Sequence, residues 1–165
     1  GSAISSITSS VTNVTVYADE TVLKDLNYIE VEIDVEGLST NKTYQKVINK
    51  PQGTRSISDT SVTINVTMEE ETSKDFEGLT VETEGLNEKF KASGASASDA
   101  QVTVTVKGVG SLLESLEPTD IKAYVDLSSV TEPGVYTVPV YVTGSDVKLT
   151  YTSKTKQINV VVQNK

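Results

Sequence analysis

The feature that most constrains this chain is a pattern that occurs twice. Residues 112–142, LLESLEPTDIKAYVDLSSVTEPGVYTVPVYV, restate residues 22–50, VLKDLNYIEVEIDVEGLSTNKTYQKVINK. Setting Val14 and Val16 on Val104 and Val106, about ninety residues apart, brings Leu23 onto Leu113 and Leu26 onto Leu116. Two extra residues near Pro118 then bring Asp34 onto Asp126 and Tyr44 onto Tyr136. Self-similarity at a fixed offset means that one supersecondary unit is built twice. The 165 residues are therefore expected to form two small modules, 1–70 and 71–165, joined at the acidic, apolar-free run 69–74, EEETSK.

The period inside each copy sets the element type. Ile29, Val31, Ile33 and Val35 alternate with Glu30, Glu32 and Asp34, which is the strongest strand signal in the chain. Its second copy, residues 121–127, keeps the same apolar face. Ahead of each copy lies a short stretch at helical spacing, Val22, Leu23 and Leu26 in one and Leu112, Leu113 and Leu116 in the other. Thr21 is the expected N-cap of the first turn, and Ser111 with Glu114 matches a capping box for the second. Residues 49–53, NKPQG, and Pro133-Gly134 read as turns. Pro139 has no ladder donor, so the strand carrying Tyr136, Val138, Val140 and Val142 belongs at a sheet edge or a bulge. Strands at 62–66 and 158–162 close the two modules, and 79–83 is a further strand that the first module does not match. Residues 3–12 read as a frayed or loosely paired start, and 86–98 as a small polar loop anchored by Phe90. The fold expected is mainly β: two tandem small antiparallel modules, each with one short helical turn, in an elongated arrangement.

Composition excludes most chemistry. The chain has no cysteine and no histidine, so disulfides, thiolate metal sites and the commonest general base are gone. A net charge of −9 with scattered basic residues argues against nucleic acid and against anionic lipid. Asp34 and Asp126 are candidate paired carboxylates, but alternation turns both away from the apolar face, and no calcium-loop spacing surrounds them. The 69–71 acids read as solvated, and Gly108-Val109-Gly110 lacks the third glycine and the long helix of a phosphate loop. Serine and threonine stand without G-x-S-x-G or S-x-x-K and read as sheet surface and caps. The sequons at Asn13, Asn41 and Asn65 are what a threonine-rich strand protein produces by chance. No catalytic, cofactor or metal residue is assigned. Tyr44 and Tyr136 fall on the apolar side of their strands, whereas Tyr124 and Tyr141 fall on the other side and are the candidate protein-contact residues. Gly1-Ser2 reads as a cloning remnant, and the single methionine is Met68, so the chain is expected to be cut from a longer protein.

The run from Val102 to Val142 resembles the YbbR-domain family, through the turn at Val106, Lys107 and Gly108, the short helix between Leu113 and Leu116, the A-x-V-D-L-S strand at 123–128 and the G-x-Y-x-V-P-V strand at 134–140. The likeness covers 76–162 well; the first module matches through Asp34, Leu38, Tyr44 and 49–53, with Ala18 in place of the turn glycine and its opening strand apparently missing. The resemblance implies a membrane-anchored bacterial protein with several repeats outside the cell, whose best understood relatives regulate the membrane diadenylate cyclase that makes cyclic di-AMP. It implies no catalysis and no cofactor. The competing reading is a structural or adhesive surface repeat that binds envelope components.

Overall fold

Val62, Ile64 and Val66 alternate with polar residues as expected, but the strand they open does not stop at the acidic run. In the computed structural model, which describes residues 1–165, it continues as β5, Ser61–Glu84. The stretch expected as a linker is thus strand: Glu71, Thr72, Ser73 and Lys74 pair with Val109, Gly108, Lys107 and Val106. Backbone groups that find ladder partners stay in register whatever the charge of their side chains, because the acids simply point to water. The chain divides into two compact units, Gly1–Glu69 and Glu70–Lys165, and each takes its own part of β5.

Unit 1 begins with β1, Ser2–Ser9, so that of the two readings of the start, frayed or loosely paired, the paired one holds. It then runs through β2, Val16–Ala18, the single turn α1, Glu20–Leu23, β3, Lys42–Val47, and β4, Thr54–Ile57. β1 and β3 both pair with β5, and β2 pairs with β4. The 49–53 turn is present, with Gly53 at φ +82°, a conformation that favours glycine. Helix α1 is capped at Asp19, not Thr21. Tyr44, Ile48, Val62, Ile64 and Val66 form the core.

Unit 2 contains β6, Phe90–Gly94, α2, Ala97–Ala100, β7, Gln101–Val109, and α3, Gly110–Ser115. A 3-10 turn, Pro118–Asp120, β8, Ile121–Asp126, β9, Gly134–Pro139, β10, Tyr141–Gly144, β11, Thr150–Ser153, and β12, Gln157–Asn164, complete it, so unit 2 has more than the one helical turn expected. Five strands lie in the order β10-β8-β5-β7-β11 and three in the order β6-β12-β9. Val104, Val106, Val125, Leu127, Val160 and Val162 are almost wholly buried among these strands. Each such side chain stabilises the unit by about 1.5–3 kcal/mol relative to exposure. Pro139 ends β9 on the edge of the three-stranded sheet, as its missing donor requires. The run expected as one strand through Val142 is split, because β10 leaves that sheet to pair with β8. The segment expected as a polar loop holds β6 and α2, with Phe90 buried at its start. Helix α3 starts at Gly110, so Ser111 lies inside it and caps nothing; Leu113 and Leu116 are buried as the spacing requires.

The largest departure is at residues 29–35. They have the cleanest alternation in the chain, yet they form no ladder. In unit 2 the matching β8 is held between β10 and the 81–84 part of β5. Unit 1 has no strand in either place, and a pattern cannot make a strand without backbone partners.

Candidate functional site

Tyr124 and Tyr141 stand directly opposite each other on β8 and β10. Their rings lie 5.5 Å apart at 33°, the tilted geometry that aromatic pairs favour, and Tyr141 is 47% exposed. Lys122 sits beside them with its Nζ 5.3 Å from the Tyr124 ring centre. The same ammonium donates to Glu84 and lies 3.7 Å from Glu82, both on β5. The bond to Glu84 raises the Lys122 pKa, followed by the two carboxylate charges, against partial desolvation. The face therefore offers two aromatic rings flanked by a neutralised cation, which suits protein contact more than ion binding. Sequence reasoning placed the two tyrosines but missed Lys122, Glu82 and Glu84. The signal available was that Lys122 replaces Glu30 at a matching repeat position.

The paired aspartates do local work. Asp126 accepts the N–H of Ser128 at 2.9 Å, and Asp34 accepts the N–H of Glu36 at 2.9 Å. The same backbone bond, with help from the Ser128 hydroxyl, holds the Asp126 carboxyl below its usual range. Both are exposed, so their repetition reports a shared loop. No cluster of three or more acidic side chains is placed to hold a metal ion. Tyr44 is buried and donates its phenol to the carbonyl of Asp34. Tyr136 is only partly buried. The hydroxyl of Thr43 bonds Asn65 at 2.8 Å and that of Thr137 bonds Asn159 at 2.7 Å. Tyr44 stands opposite Ile64 and Tyr136 opposite Val160, and the Ile48 N–H to Thr60 carbonyl bond recurs as Val140 N–H to Lys156 carbonyl, so the two tyrosines keep the matching places that the repeat gives them.

Unit 1 has a second feature, an open cleft of about 590 Å³. Val14, Val16, Leu23, Leu26, Ile29 and Val31 are among the residues that line it. Leu23 was expected to pack inward but is 41% exposed, and Tyr28 at the rim is 71% exposed. A soluble unit rarely leaves such residues uncovered together.

A family model described as YbbR-like protein matches residues 1–67 and 79–162. The chain belongs to this family. The YbbR-like chain is 30% identical over 145 residues to the CdaA regulatory protein CdaR of Bacillus subtilis (strain 168), a match covering 87% of the chain. It spans only 30% of that relative's length. Among solved structures it is similar to a YbbR-like domain from Listeria monocytogenes, with 26% identity, a TM-score of 0.48 and coverage of 57% of this chain and 95% of that one. A YbbR-like protein from Streptococcus pneumoniae gives 21% identity, a TM-score of 0.47 and coverage of 58% and 48%. No helix of the YbbR-like chain is long and apolar enough to cross a membrane.

Proposed function

We propose that this chain is a non-catalytic regulatory segment of a membrane-anchored bacterial protein, lying outside the cell, and that it modulates the diadenylate cyclase that makes cyclic di-AMP through protein contacts. The observation that carries the reading is the likeness to the Bacillus subtilis CdaA regulatory protein over 87% of the chain. The chemistry agrees with it. The chain has no histidine or cysteine, and the carboxylates with lowered pKa, Asp75, Asp99 and Asp126, are each bound into strand or loop contacts. In this reading residues 1–70 and 71–165 are two YbbR-like repeats, and the Tyr124–Tyr141 face is part of the contact surface.

The test is deletion of this segment in its native host, with cyclic di-AMP measured during growth and under osmotic and acid stress. Altered levels are expected; wild-type levels under all conditions refute the regulatory reading. The double variant Tyr124→Ala, Tyr141→Ala should reproduce the deletion while leaving the circular dichroism spectrum unchanged. Hot-spot aromatics contribute upwards of about 1 kcal/mol each, so binding to a partner should weaken by at least about tenfold. Retention on purified peptidoglycan with unaltered cyclic di-AMP supports the envelope-binding alternative.

A further inference from the structure

Tyr124 and Tyr141 differ from the tyrosines that serve the fold. The phenols of Tyr44, Tyr136 and Tyr151 each donate to a backbone carbonyl within their own unit. Tyr124 and Tyr141 instead pack on each other, with Tyr141 47% exposed. The repeat acts as an internal control on this pair. At the places of Lys122, Tyr124 and Tyr141 the first copy has Glu30, Glu32 and Asn49, all exposed, whereas the intervening inward places stay apolar in both copies. The shared architecture therefore does not require two aromatic rings here.

Carboxylates give the face its sign. Glu82, Tyr124 and Tyr141 stand in one row across β5, β8 and β10, and Glu84 stands opposite Asp126 two places further on. Lys122 answers these three acids alone. Its ammonium is bonded to Glu84, but Glu82 lies 3.7 Å away, beyond hydrogen-bond length, with its side chain 62% exposed. Lys122 also lies over the Tyr124 ring and leaves the Tyr141 ring open. An apolar partner would strip water from the acids, and an acidic one would be repelled. A planar cation suits both halves of the face, because it stacks on an aromatic ring and offers a fork of N–H donors to a carboxylate. We propose that Tyr141, Tyr124 and Glu82 form a docking site for an arginine on the surface of a separate protein. The guanidinium stacks on Tyr141 and takes Glu82, while Lys122 keeps Glu84. A second copy of this chain is a poor source, since its only arginine is Arg55, already paired with Asp19. The inference rests on the reading of this face as a contact surface and names the chemistry of the partner.

The probe is the capped tripeptide Gly-Arg-Gly, compared with Gly-Lys-Gly and with the citrulline analogue, which keeps the shape of arginine without its charge. Each is titrated into the full chain while the ring signals of Tyr124 and Tyr141 are followed by NMR. The arginine peptide should move the Tyr141 signals saturably and bind about two- to fivefold tighter than the lysine peptide, and tighter again than the citrulline one, with the gap to citrulline narrowing as salt rises. Glu82→Gln should weaken arginine binding by about two- to fivefold, and Tyr141→Ala should abolish it, with the fold checked by circular dichroism. Lys122→Gln removes the competing cation and should tighten binding, which a merely structural Lys122 would not do. Shifts with none of the peptides overturn the site. Citrulline or lysine binding as tightly as arginine overturns the guanidinium. A Tyr141 shift that grows with the concentration of the chain alone and is lost in Arg55→Lys assigns the face to a second copy and overturns the separate partner. Failure here together with altered cyclic di-AMP in the Tyr124→Ala, Tyr141→Ala variant overturns the arginine and not the contact surface; arginine binding with unaltered cyclic di-AMP supports the site and counts against the cyclase.

Discussion

Ile29 and Ile121 hold matching places in the two repeats, so one substitution made at each isolates the effect of tertiary surroundings. Ile121 is buried, with 7% of its surface exposed, within the unit 2 core, whereas Ile29 lines the open cleft. Replacing isoleucine by alanine removes three carbons, each worth about 0.8 kcal/mol when fully buried. At Ile121 the surroundings also keep a cavity, which brings the expected loss to about 3–4 kcal/mol. At Ile29 the side chain already borders water and no closed cavity forms, so the loss should be about 1 kcal/mol. The measurement is urea unfolding of each variant, with amide exchange followed at β12 for unit 2 and at 61–66 for unit 1. With a urea m-value of about 1–3 kcal/mol/M for small units, each kcal/mol corresponds to a midpoint change of about 0.3–1 M, so the difference is readily resolved. Equal losses at the two sites would refute the reasoning, since the cleft would then be closed in solution.

Three further outcomes follow from individual contacts. A Cβ on Gly144 would lie 2.0 Å from the Tyr151 ring, so Gly144→Ala should displace the ring and lower stability by about 1–3 kcal/mol, read as a lower unfolding midpoint and changed Tyr151 NMR signals. Asp99 accepts the N–H of Asn159 at 2.9 Å and the hydroxyl of Ser96 at 2.7 Å, and the Asn159 bond, then Ser96, lowers its pKa. A lowered folded pKa means stability that is present above about pH 4 and lost as pH falls through the folded value. Carboxyl NMR titration should therefore place Asp99 below the ordinary range, and Asp99→Asn should flatten the acid limb of stability. Tyr44→Phe removes the phenol that bonds the Asp34 carbonyl, and should cost about 1 kcal/mol with faster exchange around Asp34.

Much of the architecture was legible because alternation and turn chemistry are local. The apolar faces of 62–66, 102–106, 121–127 and 158–162, the turn at 49–53 and the edge role of Pro139 all follow from residue type and spacing. The outward aspect of Tyr124 and Tyr141 was legible for the same reason, since side-chain direction in a strand reverses at each residue. Their contact with each other was not, because it depends on β10 leaving one sheet for another at Val140. The Lys122 network depends on a parallel pairing between strands nearly forty residues apart, which no local pattern encodes.

The sequence by itself determined the repeat, the β class and the side of each strand that faces a core, since these rest on periods of two and on turn residues within a few positions. Only the tertiary structure decided that the acidic run 69–74 is strand and that residues 29–35 are not. A strand exists through the backbone partners beside it, and those partners are present for an unpromising charged segment and absent for the best-patterned one.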